Sequence, residues 1–181
     1  MKHFSLDIET LSSDPTSAIL SIGLYEIEGF ETEPNPDNLF YANVSLQSSI
    51  DLGLSISGKT FQWWMEQSDI ARKGLFNPSP ISIEEMSESL YGWWNARLSV
   101  PNRVWCHATF DFPILHNAFA LLKYSAPPWH YTSCRDLRTL LDGIDYPDLK
   151  RGARKEHNAG WDAFAQGQSV VYALEGRRSQ V

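Results

Sequence analysis

A chain of 181 residues, 43% hydrophobic and 20% charged, is that of a soluble globular protein with a sizeable core, read here as one domain over 1–181. It holds no apolar run of spanning length and no signal-peptide pattern, so no membrane is expected and a cytoplasmic setting is. A net charge of −7 excludes coating of nucleic acid by bulk attraction, and Cys106 and Cys134 are too few for a disulfide framework or a zinc site.

The chain opens on Phe4, Leu6 and Ile8 alternating with Ser5, Asp7 and Glu9, which predicts a half-buried strand. Side chains on a strand repeat every second residue, so Asp7 and Glu9 leave the same face. Carboxylates that close repel unless a cation lies between them, and oxygen ligands suit a hard divalent ion such as Mg²⁺ or Mn²⁺. Taken alone, such a pair more often marks a strand ending in a solvated acidic turn. Beyond the polar turn Ser12–Thr16, Ala18 to Ile27 is apolar on both faces, as a strand covered on two sides should be. Phe40 to Leu46 alternates again. Three strands with short turns predict an antiparallel meander.

From Ser57 or Thr60 to about Phe76 the spacing turns helical, with Phe61, Trp64, Met65, Ile70, Ala71 and Leu75 apolar. Trp63 and Trp64 are adjacent and so diverge; one is expected inside and the other at a cleft edge. Ser82 and Glu85 form a capping box that opens a helix to about Leu98. Arg103–His107 reads as a fourth strand, handing over through Phe110-Asp111 to a helix ending near Lys123. At that junction Asp111 also suits a plain N-cap. Ser133 and Asp136 read as a second capping box for a helix Cys134–Leu141, with Arg135 and Arg138 solvated by default. Asp145 to Lys155 is turn-like and holds the basic strip Lys150, Arg151, Arg154 and Lys155, which equally suits a solvated loop. A last helix is expected from about Asn158 to Glu175, its small residues Ala159, Ala163, Ala165 and Gly167 allowing close packing on a sheet.

Three blocks now stand in order. They are Leu6-Asp7-Ile8-Glu9-Thr10, the segment Val104 to Asp111 ending in Phe110-Asp111, and His157-Asn158-Ala159-Gly160-Trp161-Asp162-Ala163. In order, spacing and flanking residues the chain resembles the DEDDh-type 3′–5′ exonucleases of the ribonuclease H-like superfamily. Two further blocks, Thr60 to Ser68 and Arg135 to Leu140, are similar to a small bacterial and phage branch of that class.

The resemblance implies an α/β, ribonuclease H-like mixed sheet of about five strands flanked by helices. It implies that Asp7, Glu9, Asp111 and Asp162 hold two divalent ions, Mg²⁺ or Mn²⁺, roughly 3.5–4 Å apart. His157 would take the proton from the attacking water, a task suited to an imidazole. The expected partner is the 3′ end of DNA or RNA. Thr10, Trp63, Phe110, Arg135, Arg151 and Arg154 are the candidate substrate contacts, with a ring stacking on the terminal base. A homodimer through the Trp-rich helices is a further expectation. The competing functions are a phosphodiesterase for dinucleotides and a silent nucleic-acid-binding domain.

Overall fold

The computed structural model describes residues 1–75, 79–97, 101–122, 124, 126–144 and 157–178. Five strands form one sheet: β1 (Lys2–Thr10), β2 (Ile19–Ile27), β3 (Leu39–Asn43), β4 (Asn102–Cys106) and β5 (Cys134–Asp136). Their spatial order is β3-β2-β1-β4-β5. The expected meander is present, with β1–β2 and β2–β3 antiparallel, whereas β4 joins β1 in parallel and β5 joins β4 in parallel. The expected mixed sheet of five strands is therefore the one observed.

Seven α-helices are described: α1 (Leu46–Asp51), α2 (Gly58–Glu66), α3 (Asp69–Leu75), α4 (Ile83–Asn95), α5 (Asp111–Leu121), α6 (Leu137–Leu141) and α7 (Ala159–Arg178). One face of the sheet sends Phe4, Leu6, Ile8, Ile22 and Leu24 into the main core, which Met86, Leu90 and Trp94 of α4 and Leu115 and Phe119 of α5 share. The other face is covered by α7. Ser5 Oγ donates to the Ala163 carbonyl at 2.6 Å, Tyr25 packs edge-on to Phe164, and Trp105 clusters with Val170 and Ala173.

Several expected boundaries move, each for a local reason. The single helix expected from Ser57 to Phe76 is two, because Gln67 is extended and the Ser68 hydroxyl accepts the Ala71 N–H to start α3. The third strand ends at Asn43, not Leu46. Ser45 instead caps α1, a helix the alternating pattern concealed. Cys134–Asp136, expected to be helical, is β5: pairing with β4 overrides local preference, and Asp136 becomes the cap of α6 through Thr139. The Ser82–Glu85 capping box forms as expected, while α4 and α5 end at Asn95 and Leu121. Leu98, Lys123 and the Lys150–Lys155 strip lie outside the described residues.

Two glycines bring α7 down onto the sheet. Gly23, paired with Asp7 across β1–β2, has the backbone of Ala159 directly above it, and any Cβ there would overlap the Ala159 carbonyl. A Cβ on Gly167 would stand 2.7 Å from Ser5 Oγ. Because the obstacle at Gly23 is backbone, Gly23→Ala must lift α7. The expected cost is about 2–3 kcal/mol, the upper range for overpacking. A thermal melt should then show Tm lower by about 4–12 °C; an unchanged melt would mean α7 does not depend on this close approach.

Candidate active site

The acidic face follows from strand geometry and from where β4 stops. Its pairing with β1 runs only to Ser5–Trp105 and it stops at Cys106, so Asp7–Thr10 continue beyond the end of β4. The register of β1 against β2 shifts between Glu9 and Thr10, where Leu20 is the extra residue on β2. As in other open α/β sheets, the polar side chains gather at the carboxyl ends of strands. Ser5, Asp7 and Glu9 share the face turned to α7.

Asp162 reaches that face from the first turn of α7. Asn158 starts the helix, its side-chain oxygen accepting the Trp161 N–H at 3.0 Å and its carbonyl the Asp162 N–H at 2.8 Å. The Asn158 amide also donates to the Tyr41 hydroxyl on β3 at 3.2 Å, and Gly160 lies against the Tyr41 ring. The outcome is that Asp7, Glu9 and Asp162 each place a carboxylate oxygen within 4.8 Å of the others. Glu9 and Asp162 are buried and Asp7 is half-buried. Like charges that close repel by about 3 kcal/mol per pair or more at an effective dielectric near 20. A divalent cation offsets that repulsion, and three carboxylates without a thiol form the hard oxygen set such an ion prefers.

Asp111 is placed differently. It is the first residue of α5 and not its cap; Phe110 holds that position without a side-chain bond. Its Oδ2 accepts the His107 N–H at 2.7 Å, and the backbone of Ile8, the residue between Asp7 and Glu9, also engages the carboxylate and seats it beside β1. The loop before it is held by Asp136, whose Oδ1 accepts the Ala108 N–H at 3.1 Å. At 1% exposure, burial pushes the Asp111 carboxyl up to about 7, against those backbone bonds and the pull of Arg138.

That shift has a consequence for the metal-free chain. Between the ordinary value of 3.8 and about 7 the folded form keeps a proton the unfolded form has lost. Stability from this group is thus intact below pH 4 and falls as pH rises toward 7. Asp111→Asn should raise metal-free stability at pH 7.5 by on the order of 1–3 kcal/mol, with no gain at pH 4. Urea melts in a chelator check this; a gain of equal size at both pH values would rule it out.

His157 sits just before α7 in the left-handed backbone region, at φ 56°, the one non-glycine to do so among the described residues. Its ring packs edge-on to Trp63 at 5.1 Å and Trp64 at 5.3 Å between centroids. Trp64 is buried and its indole N–H donates to the Thr10 carbonyl at 2.9 Å, tying the aromatic pair to the residue after Glu9. Trp63, 43% exposed, is the outer ring of the two. Thr10 is buried, its hydroxyl on the Ser12 carbonyl. Phe110 packs partly into the main core. Arg135 Nη1 turns back onto the carbonyls of Thr132 and Cys134. Arg151 and Arg154 lie outside the described residues.

The sequence reading missed Gln166. Its Nε2 donates to Asp7 Oδ1 at 2.6 Å from inside the fold, at 2% exposure. The one signal it carried was its spacing, one helical turn beyond Asp162 and so on the same side of α7.

This sheet, flanked by helices and with acids at its strand ends, is the ribonuclease H-like exonuclease fold. The model of the Rv2179c-like 3′–5′ exoribonuclease domain matches residues 2–174, and the chain belongs to that family. Among solved structures it is similar to E. coli exonuclease I in complex with a dT13 oligonucleotide carrying a 5cy label, at 13% identity and a TM-score of 0.58, over 99% of this chain and 41% of that one. Exonuclease I of Methylocaldum szegediense matches at 14% identity and TM-score 0.55, over 98% and 40%. The cell-death related nuclease CRN-4 matches at 10% and 0.54, over 97% and 64%. The chain thus spans about two fifths of the exonuclease I length. No curated protein sequence matches it.

Proposed function

We propose that this chain hydrolyses RNA from its 3′ end, releasing nucleoside 5′-monophosphates. The observation that carries the reading is the meeting of Asp7 and Glu9 with Asp162, an acid 155 positions beyond Asp7, in a chain of this family. Asp7, Glu9, Asp111 and Asp162 are the residues to hold two divalent ions, Mg²⁺ or Mn²⁺. Such ions, when bound, activate water and neutralise charge on the leaving 3′ oxygen.

The chain's own groups do the rest. His157 accepts the proton from the attacking water, its ring steadied by the two indoles. The exposed ring of Trp63 offers a platform for the terminal base, worth about 1–3 kcal/mol per stacked base. Phe110, Thr10 and Arg135 are the further contacts proposed for the substrate, and Arg151 and Arg154 are the cations proposed to meet backbone phosphates.

RNA is favoured because the family is described as exoribonucleases, although one similar exonuclease I is bound to a DNA oligonucleotide. The test is parallel digestion of 5′-labelled RNA and DNA of matched sequence with Mn²⁺. A ladder shortening from the 3′ end, stronger on RNA, is expected, since contacts to the 2′-OH separate the two polymers. Cleavage of dinucleotides alone would make the protein a small-substrate phosphodiesterase. Binding without cleavage would make it a silent nucleic-acid-binding domain.

A further inference from the structure

We infer that Gln166 is a positioning residue that sets the orientation of the Asp7 carboxylate for divalent-cation binding; this rests on the metal-site reading above. Gln166 lies on α7 four residues after Asp162, so one helix supplies both a candidate ligand and the group that holds the facing one. Its Nε2 donates to Asp7 Oδ1 at 2.6 Å, a short charge-assisted contact. The opposite rotamer would set the amide oxygen against a carboxylate, so the observed orientation is the attractive one.

The rest of the side chain supports the same reading. Gln166 is 2% exposed and its Oε1 is buried with no hydrogen-bond partner among the described residues. Burying an amide carbonyl in that state is unfavourable. A residue serving packing alone would need no amide here, whereas a donor aimed at Asp7 does. Carboxylates that bind metals are commonly held by such outer hydrogen bonds, and losing one typically weakens affinity by about 10- to 100-fold. With Oδ1 held by Gln166, rotation of the carboxylate about its last bond is restrained, and less ordering remains to be done when an ion arrives.

Gln168 provides an internal control. It is equally buried, at 2%, on the same helix, but its amide oxygen accepts the Glu31 N–H at 2.6 Å, in a contact made with a loop residue. The experiment measures Mn²⁺ binding to the full chain by electron paramagnetic resonance, with unfolding followed in parallel, for the native chain, Gln166→Met and Gln168→Met. Gln166→Met should weaken Mn²⁺ binding about 10- to 100-fold, and Gln168→Met less than about twofold even where both lower stability. Equal Mn²⁺ affinity in Gln166→Met and the native chain would overturn the inference, as would equal losses in both variants. Should Gln166→Met not fold, the Gln166 side-chain amide signal of the native chain is followed by NMR during Mg²⁺ addition. A shift saturating together with the Asp7 backbone signal is expected, and a silent Gln166 amide overturns the inference. A native chain that binds Mn²⁺ no better than Asp7→Ala would instead bring down the metal-site reading itself.

Discussion

Asp162→Asn is expected to abolish the 3′ ladder while leaving the fold nearly intact. The substitution keeps volume and one acceptor oxygen and removes one charge from three carboxylates whose oxygens lie within 4.8 Å of one another. The residue sits in the first turn of α7, where a negative charge also meets the helix dipole. Its loss there costs only about 0.3–1 kcal/mol, and relief of the repulsion from Asp7 and Glu9 works against even that cost in the metal-free chain. Losing a charge that organises the reacting atoms is felt in rate by a factor of about 10²–10³ or more. The two effects are therefore well separated, and a ladder assay beside a urea melt reads both. A ladder surviving within about tenfold of the native rate would remove Asp162 from the site, and Asp7→Ala guards against a contaminating nuclease.

His157→Ala should cut the rate by about 10²–10⁴, the range for losing a general base, with Mn²⁺ binding unchanged. That split follows from placement. The imidazole is not one of the three clustered carboxylates; it is held against Trp63 and Trp64, and Trp64 is fastened to the Thr10 carbonyl beside Glu9. His157 also precedes Asn158, the residue that starts α7, so the proposed base and Asp162 come from one corner of the chain. Its left-handed backbone, unfavourable for a side chain with a Cβ, is tolerated by histidine more readily than by branched residues. Replacement by alanine leaves that backbone no easier, so stability should change little. A rate within about tenfold of native, or loss of Mn²⁺ binding together with activity, would contradict the assigned role.

Much of this was legible in the chain. Alternation in β1 is a two-residue period, and it put Asp7 and Glu9 on one face without any tertiary information. The capping box before α4 is equally local, since Ser82 and Glu85 satisfy each other's backbone. The adjacent indoles had to diverge on a helix, and Trp64 is inside while Trp63 is exposed. The motif residues stand out because their order along the chain is characteristic, although that order says nothing of how near one another their side chains come to lie.

What escaped is non-local. A strand of three residues has almost no signature of its own; β5 exists because β4 offers it an edge, and Asp136, expected three residues into a capping box, is instead the cap of α6. Gln166 was invisible because glutamine carries no mark of burial and nothing in the sequence says which atom its amide faces. By itself the sequence determined the acids' types, the face they share on β1 and the helix start that presents Asp162, since each depends on residues within a turn or a strand. Only the tertiary structure decided that Gly23 would let Ala159 settle beside Asp7, that Asp111 would be drawn to the Ile8 backbone, and that an amide from α7 would hold Asp7. Those contacts join segments up to 159 residues apart, and close packing selects them where local propensity has no preference.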